Sequence, residues 1–334
     1  MGGVTRLAVA GAAAAVALAT AAAAQSVPVQ TFLDAACNGP VQTGSTTITD
    51  NGVGTFASSC TIRVGAGQDL DWGAGVSVTL PAGASLTVTT AGASTEAEIL
   101  VGPGTSITAG AIAWSTSADI IFDGGSTVAS TSADGVSLTT ATTIRFGGVI
   151  AASGGGSVTA SAGRELLIGP SATVVGSGAV ALSGNEGVDV AAPDATAGAA
   201  TAVRSTGGAA ALTSSAGNVL IGSGAVVRGA TSLTVTAAVE VLVGPSQSSS
   251  PFVTTLSSGA GGLTVGGAEK TLIQSGADVS SGGSATIGIA GGGEVLLVGG
   301  AGVSAVGSLA LVGDKCTVEP GASASGIPLV VCSG

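Results

Sequence analysis

The sequence predicts an all-β, single-domain solenoid: short strands wound into coils of about 22 residues, three strands to a coil. Three observations predict it. One short phrase returns along the chain, as EILVGPG from Glu98, ELLIGPS from Glu165 and EVLVGPS from Glu240. The apolar residues around it alternate by two, which is the period of a strand and not of a helix. Glycine, 58 of 334 residues, supplies turn punctuation between the alternating stretches.

Composition narrows what such a chain can do. Hydrophobic residues make up 45% and charged residues 8%, against about 25% charged in an ordinary soluble domain. Histidine is absent, so mechanisms that need a histidine base or histidine metal ligands are excluded. The net charge of −11 is spread thinly, and no basic run marks a nucleic-acid footprint. No cofactor is expected.

Taken in order, residues 1–24 read as a secretory signal. Arg6 gives the n-region charge, Leu7 to Leu18 the apolar stretch, and Ala22-Ala23-Ala24 before Gln25 a cleavage site. An anchor helix that stays attached is the alternative. No later apolar run is long enough for a transmembrane span. The expected location is secreted, extracellular or at the cell surface. Residues 25–60 form an N-terminal cap segment, 61–315 the coils, and 316–334 the last coil with a C-terminal cap. Of the three pairings open to four cysteines, their placement favours Cys37–Cys60 and Cys316–Cys332, one short loop at each end. A zinc site is the alternative, but no CxxC is present.

The coils follow from the phrase. Its proline gives a marker at Pro103, Pro170 and Pro245, with equivalent corners at Pro81, Gly124, Gly148, Pro193, Ser223, Ser275, Gly299 and Pro320. Successive gaps are 21 to 24 residues, apart from two of 30. Aliphatic or aromatic residues stand two before the marker (Val101, Phe122, Phe146, Ile168) and four before it (Ile99, Ile120, Ile144, Leu166). A further alternating stretch holds Ile112/Trp114, Val136/Leu138 and Val158/Ala160. A repeat of this kind sets the fold. It resembles the parallel β-helix. The resemblance implies a right-handed coil, because the six-residue beat of the left-handed form is missing. Eleven or twelve coils at strand spacing make a rod of about 50–60 Å. Two packed sandwiches are the alternative.

Two outward faces are candidates for binding. Three before the marker stand Leu100, Ile121, Leu167, Val190, Leu220, Leu242, Leu272 and Leu296, and without Val190 these form a candidate interaction stripe. Beside it, five before the marker, runs a mostly acidic row: Glu98, Asp119, Glu165, Asn218, Glu240, Lys270, Glu294 and Lys315. A long apolar stripe marks an interaction surface, unless the N-terminal segment covers it. The third strand of each coil shows Thr87/Thr89, Ala111/Ala113, Ser137/Thr139, Ser157/Thr159, Ala179/Ala181, Thr234/Thr236 and Thr264. This resembles the Thr-x-Thr faces of β-helical ice-binding proteins, and Thr87, Thr89, Thr139, Thr159, Thr234 and Thr236 are the candidate ice-face residues the resemblance implies. The alternative is that Thr and Ser suit solvated strands.

Catalytic candidates are few. Asp69/Asp71 and Glu96/Glu98 have the spacing that puts two carboxylates on one strand face, as acid–base work or Ca²⁺ binding needs. Only Arg63 is a near basic neighbour of the first pair. Two longer turns, Ala195 to Gly208 and Gln247 to Gly262, carry Arg204 and Phe252; loops on a rigid scaffold often bind. The composition is similar to that of the passenger rods of bacterial adhesins. The expectation is a structural or adhesive protein without catalysis, whose partners are other copies of itself, extracellular matrix or a surface polysaccharide. Ice binding and a polysaccharide lyase or hydrolase built on Asp69/Asp71 are the alternatives.

Overall fold

Alternation by two sends every second side chain inward, and repetition places the same strand over its counterpart one coil later. The computed structural model shows this arrangement. It describes residues 25–49, 52–92, 97–194, 199–245, 252–289, 293–326 and 329–332, so the expected signal at 1–24 and Glu96 lie outside the described residues. Three parallel sheets form the walls of one coil. Sheet 1, of 13 strands, runs from Gln25–Val27 to Lys315–Val318; sheet 2, of 12, from Val53–Thr55 to Ser323–Ser325; sheet 3, of 12, from Cys60–Val64 to Leu329–Val331. The chain visits sheets 1, 2 and 3 in turn, and each strand pairs in parallel with its counterpart in the next coil. This is the expected parallel β-helix.

The inward positions match the expectation. Ile99, Val101, Ile120, Phe122, Ile144, Phe146, Leu166 and Ile168 are all buried. Burying such a side chain contributes about 1.5–3 kcal/mol, and stacking makes each one the floor for the next. Trp114, Phe122 and Phe146 form one stack inside the coil, with ring centroids 5.7 Å and 5.5 Å apart. Beyond Phe146 the interior is aliphatic: the one later aromatic residue, Phe252, stands on a turn. The recurring phrase also has a backbone cause. The residue after the marker turns the corner in the left-handed region, Gly104 at φ 70° and Ser171 at φ 61°. Glycine adopts it without a Cβ penalty.

The N-terminal end differs from the expectation in detail. The coil begins within the segment assigned to the cap, because Thr46–Ile48 and Val53–Thr55 already pair with Leu70–Trp72 and Ser77–Thr79. Before them comes the one helix among the described residues, α1 (Val29–Ala36). Its buried residues Val29, Phe32, Leu33 and Ala36 follow the one-faced helical spacing. That face lies over the open first coil. Phe32 meets Trp72 edge-on at 5.9 Å. A Cβ on Gly54 would come within 2.6 Å of Leu33 Cδ1 and 2.7 Å of Val29 Cγ2, so the helix packs directly on that glycine.

Exposed strand edges need satisfying, and α1 brings the means. The Gln30 amide accepts from the Thr55 N–H (2.9 Å) and donates to the Thr55 carbonyl (3.2 Å), as a neighbouring strand would. Asn38 turns out of the helix at φ 57°. Its N–H donates to the Thr61 carbonyl, and its side chain donates to Ser59 and accepts from Thr61. Disulfide Cys37–Cys60 fixes the helix end to sheet 3, and Cys316–Cys332 ties the last coil; both pairings are the expected ones. At the C-terminal end no further element covers the last coil among the described residues. There Val318, an inward position, is 41% exposed.

Candidate binding faces

Sheet 3 carries the hydroxyl face. Val88, Trp114, Leu138, Ala160, Leu182, Leu212 and Val235 are buried, so the residues on either side of each point out. Two outward columns result. The first reads Thr61, Thr87, Ala113, Ser137, Thr159, Ala181, Ala211, Thr234, Thr264 and Thr286. The second reads Arg63, Thr89, Ser115, Thr139, Ser161, Ser183, Thr213 and Thr236, a run of seven hydroxyls after the arginine. All six candidate ice-face residues stand in these columns. The pairs expected at Ala111/Ala113, Ser157/Thr159 and Ala179/Ala181 are corrected: register aligns Ala113/Ser115, Thr159/Ser161 and Ala181/Ser183 with Thr87/Thr89. The distance from marker to third strand varies with turn length, so a fixed offset from the marker misses the register by one outward position. The face is more uniform than the sequence reading had it.

The geometry of this face follows from the sheet. Parallel strands lie about 4.8 Å apart, and alternate residues on one strand about 6.6 Å apart. Hydroxyls therefore form a regular grid. Threonine is stiff at χ1, and the strands beneath are hydrogen-bonded on both sides, so little freedom remains to be lost on binding.

Sheet 1 carries the aliphatic stripe. Its outward column reads Asp71, Leu100, Ile121, Arg145, Leu167, Asp189, Leu220, Leu242, Leu272, Leu296 and Thr317. The expected stripe residues all face outward, Leu220 at 36% exposure and the others half-buried. Val190 is corrected: it points inward and is buried, and Asp189 takes its place. Arg145 and Asp189 thus interrupt the stripe, leaving Leu220, Leu242, Leu272 and Leu296 as its longest apolar run. Helix α1 covers the coil end and not this column. Glu165, Leu167, Asp189 and Leu220 line a shallow depression here. Burial, and then the neighbouring Glu165 charge, raise the Asp189 carboxyl above its ordinary value.

The charged row beside the stripe has a structural use. Asp69 Oδ1 accepts from the Glu98 N–H at 3.1 Å, Asp119 Oδ1 from the Thr143 N–H at 3.0 Å, and Asn218 Oδ1 from the Glu240 N–H at 3.1 Å. Each side chain holds the backbone of the next coil. Further on, Glu240, Lys270, Glu294 and Lys315 stand in register with alternating sign, and Lys315 Nζ lies 2.6 Å from Glu294 Oε1.

The carboxylate pair of the alternative enzymatic reading stays together in space, where Asp69, Asp71 and Glu98 line one depression. Asp69 serves the backbone, while Asp71 faces outward beside Thr47 and Leu100 on sheet 1. Burial raises the Asp71 carboxyl, offset by a Thr47 hydrogen bond and reinforced by Asp123 and Asp69. Burial, then Asp69 and Asp119, raise Glu98. Arg63, the expected cationic neighbour, stands on sheet 3, a different wall of the coil. No group of three or more metal-ligating side chains occurs among the described residues.

No protein-family model matches the chain, and no curated protein and no solved structure matches it either. Fold and faces define a parallel β-solenoid of chemically sorted walls. Among the described residues no helix is long and apolar enough to cross a membrane.

Proposed function

We propose that this is a non-catalytic structural and adhesive solenoid, secreted or held at the cell surface, whose sheet 3 binds an ordered, hydroxyl-bearing polysaccharide surface. The observation that carries the reading is the two-column hydroxyl grid, unbroken in its second column from Thr89 to Thr236. Single hydroxyl contacts are weak, but a rigid array engages many at once. The two disulfides support an oxidising location, and the N-terminal Arg6–Leu18 pattern supports export. The absence of histidine and the separation of Arg63 from Asp69 and Asp71 weigh against a lyase or hydrolase.

Ice binding is the second reading. It is favoured by the strands on which both columns carry threonine, Thr87/Thr89 and Thr234/Thr236, because they set paired hydroxyls and methyls on one plane. One set of variants tests both readings. Thr139→Lys with Thr236→Lys puts two long charges on the grid without touching the interior. Co-sedimentation with insoluble neutral polysaccharide is expected to fall about tenfold or more, the loss of roughly 1.4 kcal/mol. Wild-type protein that stays in the supernatant removes the adhesive reading. Inhibition of ice recrystallisation by the wild type, lost in the variant, replaces it with the second.

A further inference from the structure

Sheet 2 contains a feature that the hydroxyl face does not use. In its second outward column Arg204 stands directly opposite Arg228 on the neighbouring strand. Both are exposed, with Val203 and Val227 buried between and behind them. Like charges in direct register oppose strand pairing. The chain has only eight Lys and Arg in all, and the ion pairs among the described residues use Arg164 and Lys315. No ion pair joins Arg204 or Arg228 to a carboxylate there. The segments 195–198 and 246–251 of the adjoining long turns contain no Asp or Glu.

Two long turns flank the pair along the chain. One enters the Arg204 strand (Ala202–Ser205); the other enters Thr255–Ser258, on the far side of the Arg228 strand (Val226–Gly229). Their described ends, Pro193 and Phe252, approach the same corner glycine, Gly224. A Cβ on Gly224 would lie 3.1 Å from Phe252 Cβ and 3.3 Å from Pro193 Cγ. Both turns are anchored. Thr254 Oγ1 accepts from the Gly224 N–H at 2.7 Å, and Thr201 Oγ1 from the Ser171 N–H at 2.8 Å. Ala202 and Val226 point outward by alternation yet are buried.

From Arg228 the same column continues as Ser257, Ser280, Ser304 and Ser325, one hydroxyl per coil. We propose that Arg204 and Arg228 bind an oxyanion of an acidic polysaccharide, carboxylate or sulfate, whose chain then runs along this serine row. The guanidinium fork matches both groups in bidentate geometry. An extended glycan presents hydroxyls to the serines, at a strand repeat of about 4.8 Å. No aromatic residue stands in the row for bases to stack on, which disfavours single-stranded nucleic acid.

This deepens the adhesive reading and rests on it, but it uses a different wall, so the two fail separately. Binding of the full chain to polygalacturonate and to dextran sulfate is measured by affinity electrophoresis at low and high salt, with neutral dextran as control. The expected result is retardation by one or both polyanions, with the stronger one identifying the carboxylate or the sulfate as the ligand. Arg204→Gln with Arg228→Gln is expected to weaken it about tenfold or more. Ser280→Leu is expected to weaken retardation by the polyanion severalfold, because it interrupts the serine row and leaves both guanidinium groups in place. These side chains are at the surface, and circular dichroism checks that the fold persists. No retardation of the wild type overturns the proposal, as does retardation that the arginine variant keeps. An arginine variant that loses polyanions but still sediments with neutral polysaccharide leaves sheet 3 binding standing. Loss of sheet 3 binding alone in Thr139→Lys with Thr236→Lys leaves this site standing.

Discussion

At the first coil a helix plugs the interior; at the last coil the interior side chains meet no further element among the described residues. The same problem, an open stack of strands, thus receives two answers. At the N-terminal end, Phe32 packs on Trp72, Gln30 satisfies the Thr55 backbone, and Asn38 covers the edge of sheet 3. At the C-terminal end, Val318 is 41% exposed, and a disulfide adds to the strand pairing that holds the last coil. The difference teaches that a solenoid end is held either by filling the opening or by tying the final turn. The first protects the coils beneath it, whereas the second protects mainly itself.

The largest expected effect breaks the plug. Phe32→Ala removes a buried ring at the coil end and is expected to cost about 3–5 kcal/mol. Amide exchange should quicken in the first coils and hold beyond Phe146; uniform loss of protection along the chain would contradict end-local stability. Next come the cross-links. Cys37→Ala with Cys60→Ala is expected to cost about 3 kcal/mol by loop closure and to free α1 as well. Cys316→Ala with Cys332→Ala should expose only the last coil and lower the melting temperature less. Equal shifts from the two pairs would erase the contrast between plug and tie.

The smallest effect is electrostatic, and it also distinguishes the ends. Asp71 and Glu98, near the N-terminal end, have carboxyls raised mainly by burial. The folded chain therefore holds their protons more tightly than the unfolded chain. Stability should rise as pH falls from 7 into that raised range, by less than about 1 kcal/mol per group. Glu294, near the other end, is lowered by its hydrogen bond and charge contact with Lys315. Its contribution is present above its ordinary value of 4.5 and is lost as pH falls through the depressed one. Melting temperature measured from pH 7 to about 5 should increase in the wild type and increase less steeply in Asp71→Asn with Glu98→Gln, where Asp189 supplies the slope that remains. An unchanged slope in that variant would remove the assigned cause.

Much of the fold was legible because strand periodicity is local. Ile99 and Val101 announce an inward pair whatever lies above them, and the proline marker carries that reading from coil to coil. The faces were less legible, because they depend on which residue stands over which. Ser115, Ser161 and Ser183 join the grid only through hydrogen-bond register, and Asp189 displaces Val190 from the stripe for the same reason. The Arg204–Arg228 pair, 24 residues apart in a region of lengthened turns, has no local signal at all.

Helix α1 marks the boundary between the two kinds of information. VQTFLDAA carries a helical apolar face, but eight residues are too short to stand as a helix in water. It forms where that face covers Trp72 and Gly54. The sequence by itself determined the coil, its three strands and its interior, because alternation and repetition act between near neighbours. Tertiary structure alone decided the plugged end, the hydroxyl grid and the arginine ledge, because each is made of residues that meet only when one coil is laid on the next.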